Sequence, residues 1–120
     1  PDYVKKFLNL EICVMLLPLA KELCSTRFEE YITVALLTAT QLFNSFNHII
    51  TQTLRNFKDS PTIVDLNAED RKDKCEKCQA LFVAIRQIAE RKFNHRVDDI
   101  GTHARVYVRT LGSFGTERNK

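Results

Sequence analysis

Glycine is missing from the first hundred residues of this chain; Gly101, Gly112 and Gly115 all fall within the last twenty. A stretch that long without glycine offers no residue suited to left-handed hairpin turns or to a phosphate-cradling loop. Helices tolerate such a composition best. The sequence therefore reads as all-α, and 120 residues suffice for one hydrophobic core but not for two.

About five helices can be placed, one of them long and central. Asp2 caps a first helix to about Leu17, apolar nearly all round: Val4, Leu8, Ile12, Met15 and Leu16 form one stripe, and Phe7, Leu10, Cys13, Val14 and Leu17 fill most of the rest. Such a helix must be buried on several sides, more than a small domain supplies, so packing against a partner helical bundle is expected. Pro18 either kinks this helix or opens a second one, Leu19 to Cys24. Thr26 followed by Glu29 reads as a capping box for the long helix, about Arg27 to Phe57. Its apolar residues share one arc; Val34 and Leu37, one turn apart, interrupt the polar face and suggest partner contact. Asn67 caps the next helix, whose inward stripe is Cys75, Cys78, Phe82, Ile85, Ala89 and Phe93. Thr102 caps a last short helix through Leu111, although the alternation of Val106 and Val108 also fits a strand. Residues 1–93 are expected to form the helical interaction core, and 94–120 a basic C-terminal segment with that short helix.

The spacing of Cys75 and Cys78 is that of zinc and redox motifs, so the cysteines need separate weighing. A structural zinc needs four converging ligands. Cys13 and Cys24 are eleven residues apart, about 16 Å along an unbroken helix, which is too far for one ion or one disulfide. His48, His95 and His103 show no ligand spacing relative to Cys75. Both C-x-x-C thiols lie on the apolar stripe, where cysteine behaves as a small hydrophobe. Core packing is the reading; a zinc or redox module on Cys75 and Cys78, or a secreted four-helix signalling protein with two disulfides, stands as the alternative. No metal and no cofactor is expected, and no nucleophile–base pair sits in a catalytic context. This is the sequence of a binding module, not of an enzyme.

Charge is uneven. Residues 84–120 carry eight cations against four acids, whereas residues 1–66 carry six against seven. A basic C-terminal third suits an acidic partner. Arg71, Lys72 and Lys74 sit in the first two turns of the cysteine helix, where the helix dipole disfavours cations, a local conflict that often marks function. The longest uncharged apolar run, Ile12 to Ala20, is too short to span a bilayer. The opening residues lack a secretory pattern, and a targeting segment or further domain is expected outside this piece.

Three segments in order, "LEICVMLLPLAKEL", "RFEEYI" and "DLNAEDRKDKCEKC", give the chain a family likeness. It resembles the C-terminal helical domain of the katanin regulatory subunit, the non-catalytic, propeller-bearing type, over about Leu8 to Ile88. The resemblance implies a heterodimer with the N-terminal domain of the catalytic subunit, a microtubule-severing AAA ATPase. It also implies contact with microtubules and with spindle-pole or minus-end proteins, and a cytoplasmic, cytoskeletal location; neither nucleic acid nor membrane is an expected partner. By position, Arg71 and Lys74, with Lys72 beside them, match the family's microtubule-binding cations. Phe28 and Tyr31 match a groove for partner peptides, with Phe28 standing where the family tends to have tyrosine. The subunit interface is expected at Phe7, Leu10, Val14, Leu17, Val34 and Leu37.

Overall fold

The computed structural model describes residues 2–59 and 66–116, with side chains described for 9–57 and 67–116. Among the described residues there are four α-helices, α1 (Asp2–Leu23), α2 (Glu29–Asp59), α3 (Leu66–Ile88) and α4 (Asp99–Leu111), with a π-helical turn, Ala89–Phe93, continuing α3. No strand occurs among the described residues. The all-α expectation holds, and the expected count of about five becomes four.

The difference lies at Pro18, inside an α1 that runs unbroken from Asp2 to Leu23. Proline in a helix interior costs about 3 kcal/mol through a lost hydrogen bond and a ring clash. Here the residues around it, Leu17 and Ala20, are buried in the core, and their packing keeps the helix continuous through the defect. Pro18 itself is only partly buried.

α2 sets the length of the molecule. Its 31 residues span roughly 46 Å at 1.5 Å per residue, close to the longest dimension of 49 Å. Along that length Ile32, Ala35, Leu36, Ala39, Phe43, Phe46, Ile49 and Ile50 form one buried face. α1, α3 and α4 all pack on α2; α1 also packs on α3, whereas α4 barely touches α3. The start of α2 differs from the expected capping box. Phe28 is the first residue whose carbonyl enters the helix, accepting from Tyr31 N–H at 3.0 Å and Ile32 N–H at 3.1 Å. Thr26 instead braces the preceding turn: its hydroxyl donates to the Leu23 carbonyl at 2.8 Å and accepts from Phe28 N–H at 3.4 Å.

The cysteine stripe of α3 is where the spacing put it, with Cys75, Cys78, Phe82, Ile85 and Ala89 fully buried. α3 opens at Leu66, one residue ahead of the expected cap at Asn67, a difference within ordinary fraying. In the π turn Asn94 N–H reaches back five residues to the Ala89 carbonyl at 2.7 Å. The wider turn brings Phe93, four residues after Ala89, back to the buried side.

α4 is a helix, and the alternative strand is not formed. Its cap is Asp98 rather than Thr102: the Asp98 carboxylate accepts from Gly101 N–H at 3.2 Å. Ile100, Ala104, Tyr107 and Leu111 join the same core as α1 to α3. Tyr107 is wholly enclosed, and its hydroxyl donates to the Phe82 carbonyl of α3 at 2.8 Å, which satisfies the one polar atom it brings inside. Beyond Gly112, at φ 54°, the chain folds back so that Phe114 meets Phe43 and Phe82 edge to face. Arg86 secures that return by donating from Nη1 to the carbonyls of Gly112 and Phe114, each at 3.0 Å.

Burial has a titration signature. Desolvation pushes the thiols of Cys24 and Cys75 up to about 11, and raises the Tyr107 phenol as well. These groups hold protons in the folded chain that the unfolded chain releases from about pH 9 upward. The contribution of these groups to stability is thus complete below pH 9 and is lost as pH rises from 9 through 11. Thermal melts from neutral pH to 11 should show that decline, and replacing Cys24 and Cys75 by alanine should flatten it. A melting temperature that is flat across this window would contradict the assignment.

Candidate functional site

The described surface has one concentration of apolar side chains. Of nine exposed large hydrophobic residues, seven belong to α1, to the start of α2 or to the turn between them: Ile12, Met15, Leu19, Phe28, Tyr31, Val34 and Leu37. Helical geometry explains the grouping. α1 buries the arc of Leu10, Cys13, Leu17 and Ala20 against α2 and α3, and of its remaining apolar residues Leu16, Leu19 and Leu23 fall on the flank beside α2. Between the helices lies a shallow groove of about 140 Å³ lined by Leu16, Leu19, Ala20, Leu23, Val34, Ala35 and Thr38. Phe28 and Tyr31 stand near one end of this face, ring centroids 5.3 Å apart at 61°.

Among the expected interface residues, Val34 and Leu37 are exposed, at 53% and 45%. Leu10 and Leu17 correct the expectation. Both are at 0% exposure inside this chain's own core, and Val14 is packed against that core, so they offer a partner little or nothing. The physical reason is that α1 is sandwiched between two helices of its own chain, α2 and α3, so its inward arc is wide. The surplus apolar surface lies one step around the helix, at Ile12, Met15 and Leu19. Phe7 lies outside the described side chains.

The basic cluster at the start of α3 is present but largely neutralised. Lys74 forms ion pairs with Asp70 at 2.9 Å and with Glu11 of α1, and these two carboxylates hold its ammonium above the usual lysine range. Lys72 pairs with Glu76 at 3.7 Å and lies over the Phe57 ring, 5.1 Å from its centroid. Arg71 is partly buried one turn before Cys75. Sequence spacing indicates the Lys74–Asp70 pair, which is i, i+4. It does not reveal Glu11, which reaches Lys74 only because α1 packs on α3.

Two further arrangements escaped the sequence reading. Arg96, in the loop before α4, bridges Glu29 of α2 at 2.9 Å and the capping Asp98, and holds the Asp98 carboxyl below its ordinary range. Beside this bridge Glu29, Glu30, Thr33, Val34, Asp98, Asp99 and Ile100 line an open groove of about 470 Å³. The other is the contact of Cys13 with Cys78, which joins α1 to α3; the hydrogen bond between the thiols, then burial, pushes Cys13 up.

All four cysteines are free, buried thiols, and the described residues contain no group of three or more His, Cys, Asp or Glu side chains placed to hold a metal ion. No described helix is long and apolar enough to cross a membrane. Buried, protonated thiols are poor nucleophiles. Alkylation of the native protein should label few thiols on the timescale on which denatured protein labels all four, and rapid native labelling would show that the core opens readily.

The fold and surface together define a class: a small helical array whose outer face on two adjacent helices is apolar. Within that class, the chain belongs to the con80 domain family of katanin, whose model matches residues 3–110. Among curated proteins it is similar to katanin p80 WD40 repeat-containing subunit B1 of Danio rerio, 24% identical over 100 residues. That alignment covers 82% of this chain but 13% of the relative, so the chain corresponds to a small part of that protein's length. No solved structure matches. The family likeness read from the three ordered segments is the family found.

Proposed function

We propose that this chain is the partner-binding domain of a non-catalytic katanin regulatory subunit, and that its α1/α2 face docks on the N-terminal domain of a microtubule-severing AAA ATPase. The observation that carries the reading is that seven of the nine exposed large hydrophobic residues among those described lie on α1, the start of α2 or the turn between them, with Leu19 and Val34 lining the groove between the two helices. Covering half-exposed side chains of this size returns roughly 1 kcal/mol each. Seven of them come to about 7 kcal/mol, within the 4–15 kcal/mol that association costs. The apolar face alone therefore about breaks even, and net affinity requires a wider interface with hydrogen bonds at its rim. Phe28 and Tyr31, at the edge of the face, are positioned to take a peptide from a spindle-pole or minus-end protein. Arg71, Lys72 and Lys74 would supply salt-sensitive attraction to the acidic microtubule surface. On this reading the complex resides on microtubules and spindle poles in the cytoplasm.

Replacing Leu19 and Val34 together by glutamate tests the docking face. Two unpaired charges carried into an apolar contact should weaken binding to the catalytic subunit's N-terminal domain at least 100-fold, on the order of 3 kcal/mol or more. Both residues are half exposed, so helical content and melting temperature should hold. Undiminished binding of a folded variant would remove α1/α2 from the interface. Charge reversal at Arg71 and Lys74 should reduce microtubule co-sedimentation, by a factor that shrinks as salt is raised.

A further inference from the structure

We propose that the acid-binding cations of α3 are held in a self-neutralised state, with Glu11 of α1 as an internal competitor that an acidic partner must displace from Lys74. The inference rests on the reading of Lys74 as a contact for an acidic surface, and it adds a regulation of that site. Lys74 touches two carboxylates at once, Asp70 from its own helix and Glu11 from α1. Lys72 is similarly occupied by Glu76. One ammonium facing two carboxylates has its charge offset locally, which weakens its attraction for an incoming acidic chain. The cluster is therefore weaker as an acid receptor than its sequence suggests.

The competitor can be exchanged. Glu11 and Asp70 are more than half exposed and Lys74 about a third, so both bridges are screened by solvent. Exposed pairs of this kind contribute little stability and are broken at little cost. A carboxylate-rich partner can offer Lys74 the same contacts that Glu11 and Asp70 now make. The two internal acids differ in one respect. Asp70 moves with Lys74 because both are on α3, whereas Glu11 belongs to α1 and immediately precedes Ile12 of the docking face. Anything that shifts the outer flank of α1 relative to α3 changes how strongly Lys74 is occupied. The same ion pair links the face for one partner to the cations for another.

The test uses the full chain with two probes, a polyglutamate peptide and assembled microtubules, at low fixed salt. Glu11→Gln with Asp70→Asn should raise affinity for both probes about two- to fivefold, the factor an exposed pair of up to about 1 kcal/mol allows. Glu22→Gln with Glu90→Gln, two exposed acids that are not paired with Lys74, serves as the charge-matched control and should give a smaller change. The gain should vanish when Lys74 is alanine. If Lys74→Ala weakens binding but the Glu11/Asp70 variant gains nothing over the control, the competition is refuted and Lys74 remains a binding residue. A gain that persists without Lys74 is bulk charge and refutes it equally. If Lys74→Ala changes nothing, the underlying assignment of Lys74 fails, and the regulation fails with it.

Discussion

Everything in this molecule is arranged around the apolar face of α2. Ile32, Ala35, Leu36, Ala39, Phe43, Phe46, Ile49 and Ile50 run along a helix whose length nearly equals that of the whole structure. The other three helices pack against it, and two of them, α3 and α4, have little contact with each other. A helix of this length draws most of its stability from tertiary packing rather than from propensity. The dependence is mutual: α2 needs covering along its face, and α1, α3 and α4 need a common wall. A single aromatic cluster, Phe43 with Phe82 and Phe114, ties α2, α3 and the chain beyond α4 into one interior.

That arrangement explains where the surplus hydrophobicity goes. α1 is apolar around most of its circumference, yet it has two neighbours rather than one, so more of it is enclosed than its composition suggests. What remains is a flank continuous with the start of α2. The thiols illustrate the same point. Four cysteines in a chain of this size invite thoughts of metal or disulfide chemistry, but all four are buried in the core as free thiols, and desolvation holds Cys24 and Cys75 in the protonated form.

Local and periodic features were legible in the sequence. The glycine distribution gave the all-helical class, and the 3–4 spacing of α3 gave its buried stripe residue by residue. The exposed pair Val34 and Leu37 was readable because it breaks an otherwise polar face. Features that depend on how helices meet were not. No propensity rule keeps α1 continuous through Pro18; packing of Leu17 and Ala20 does. Thr26 and Glu29 have capping-box spacing, but the turn is braced by Thr26 and the helix opens at Phe28. Leu10 and Leu17 read as interface because α3, one of the two helices that enclose α1, lies far away in sequence. The pairings of Glu11 with Lys74 and of Cys13 with Cys78 were hidden for the same reason.

Gly101 carries a consequence of another kind. It lies within α4, where glycine ordinarily weakens a helix, and any Cβ there would collide with the Arg96 carbonyl. Arg105 clasps the same stretch through its bonds to the Asn94 and Arg96 carbonyls, at 2.9 and 2.7 Å. The seat of α4 is thus fixed on its inner side, by close main-chain approach at Gly101, by the Arg105 clasp and by the buried side chains Ile100, Ala104, Tyr107 and Leu111. A joint made that way is insensitive to what the outer surface of α4 displays. Val106 and Arg109 can be exchanged for other chemistries without moving the scaffold, which leaves that face open to acquire new specificities while the frame beneath it stays as it is.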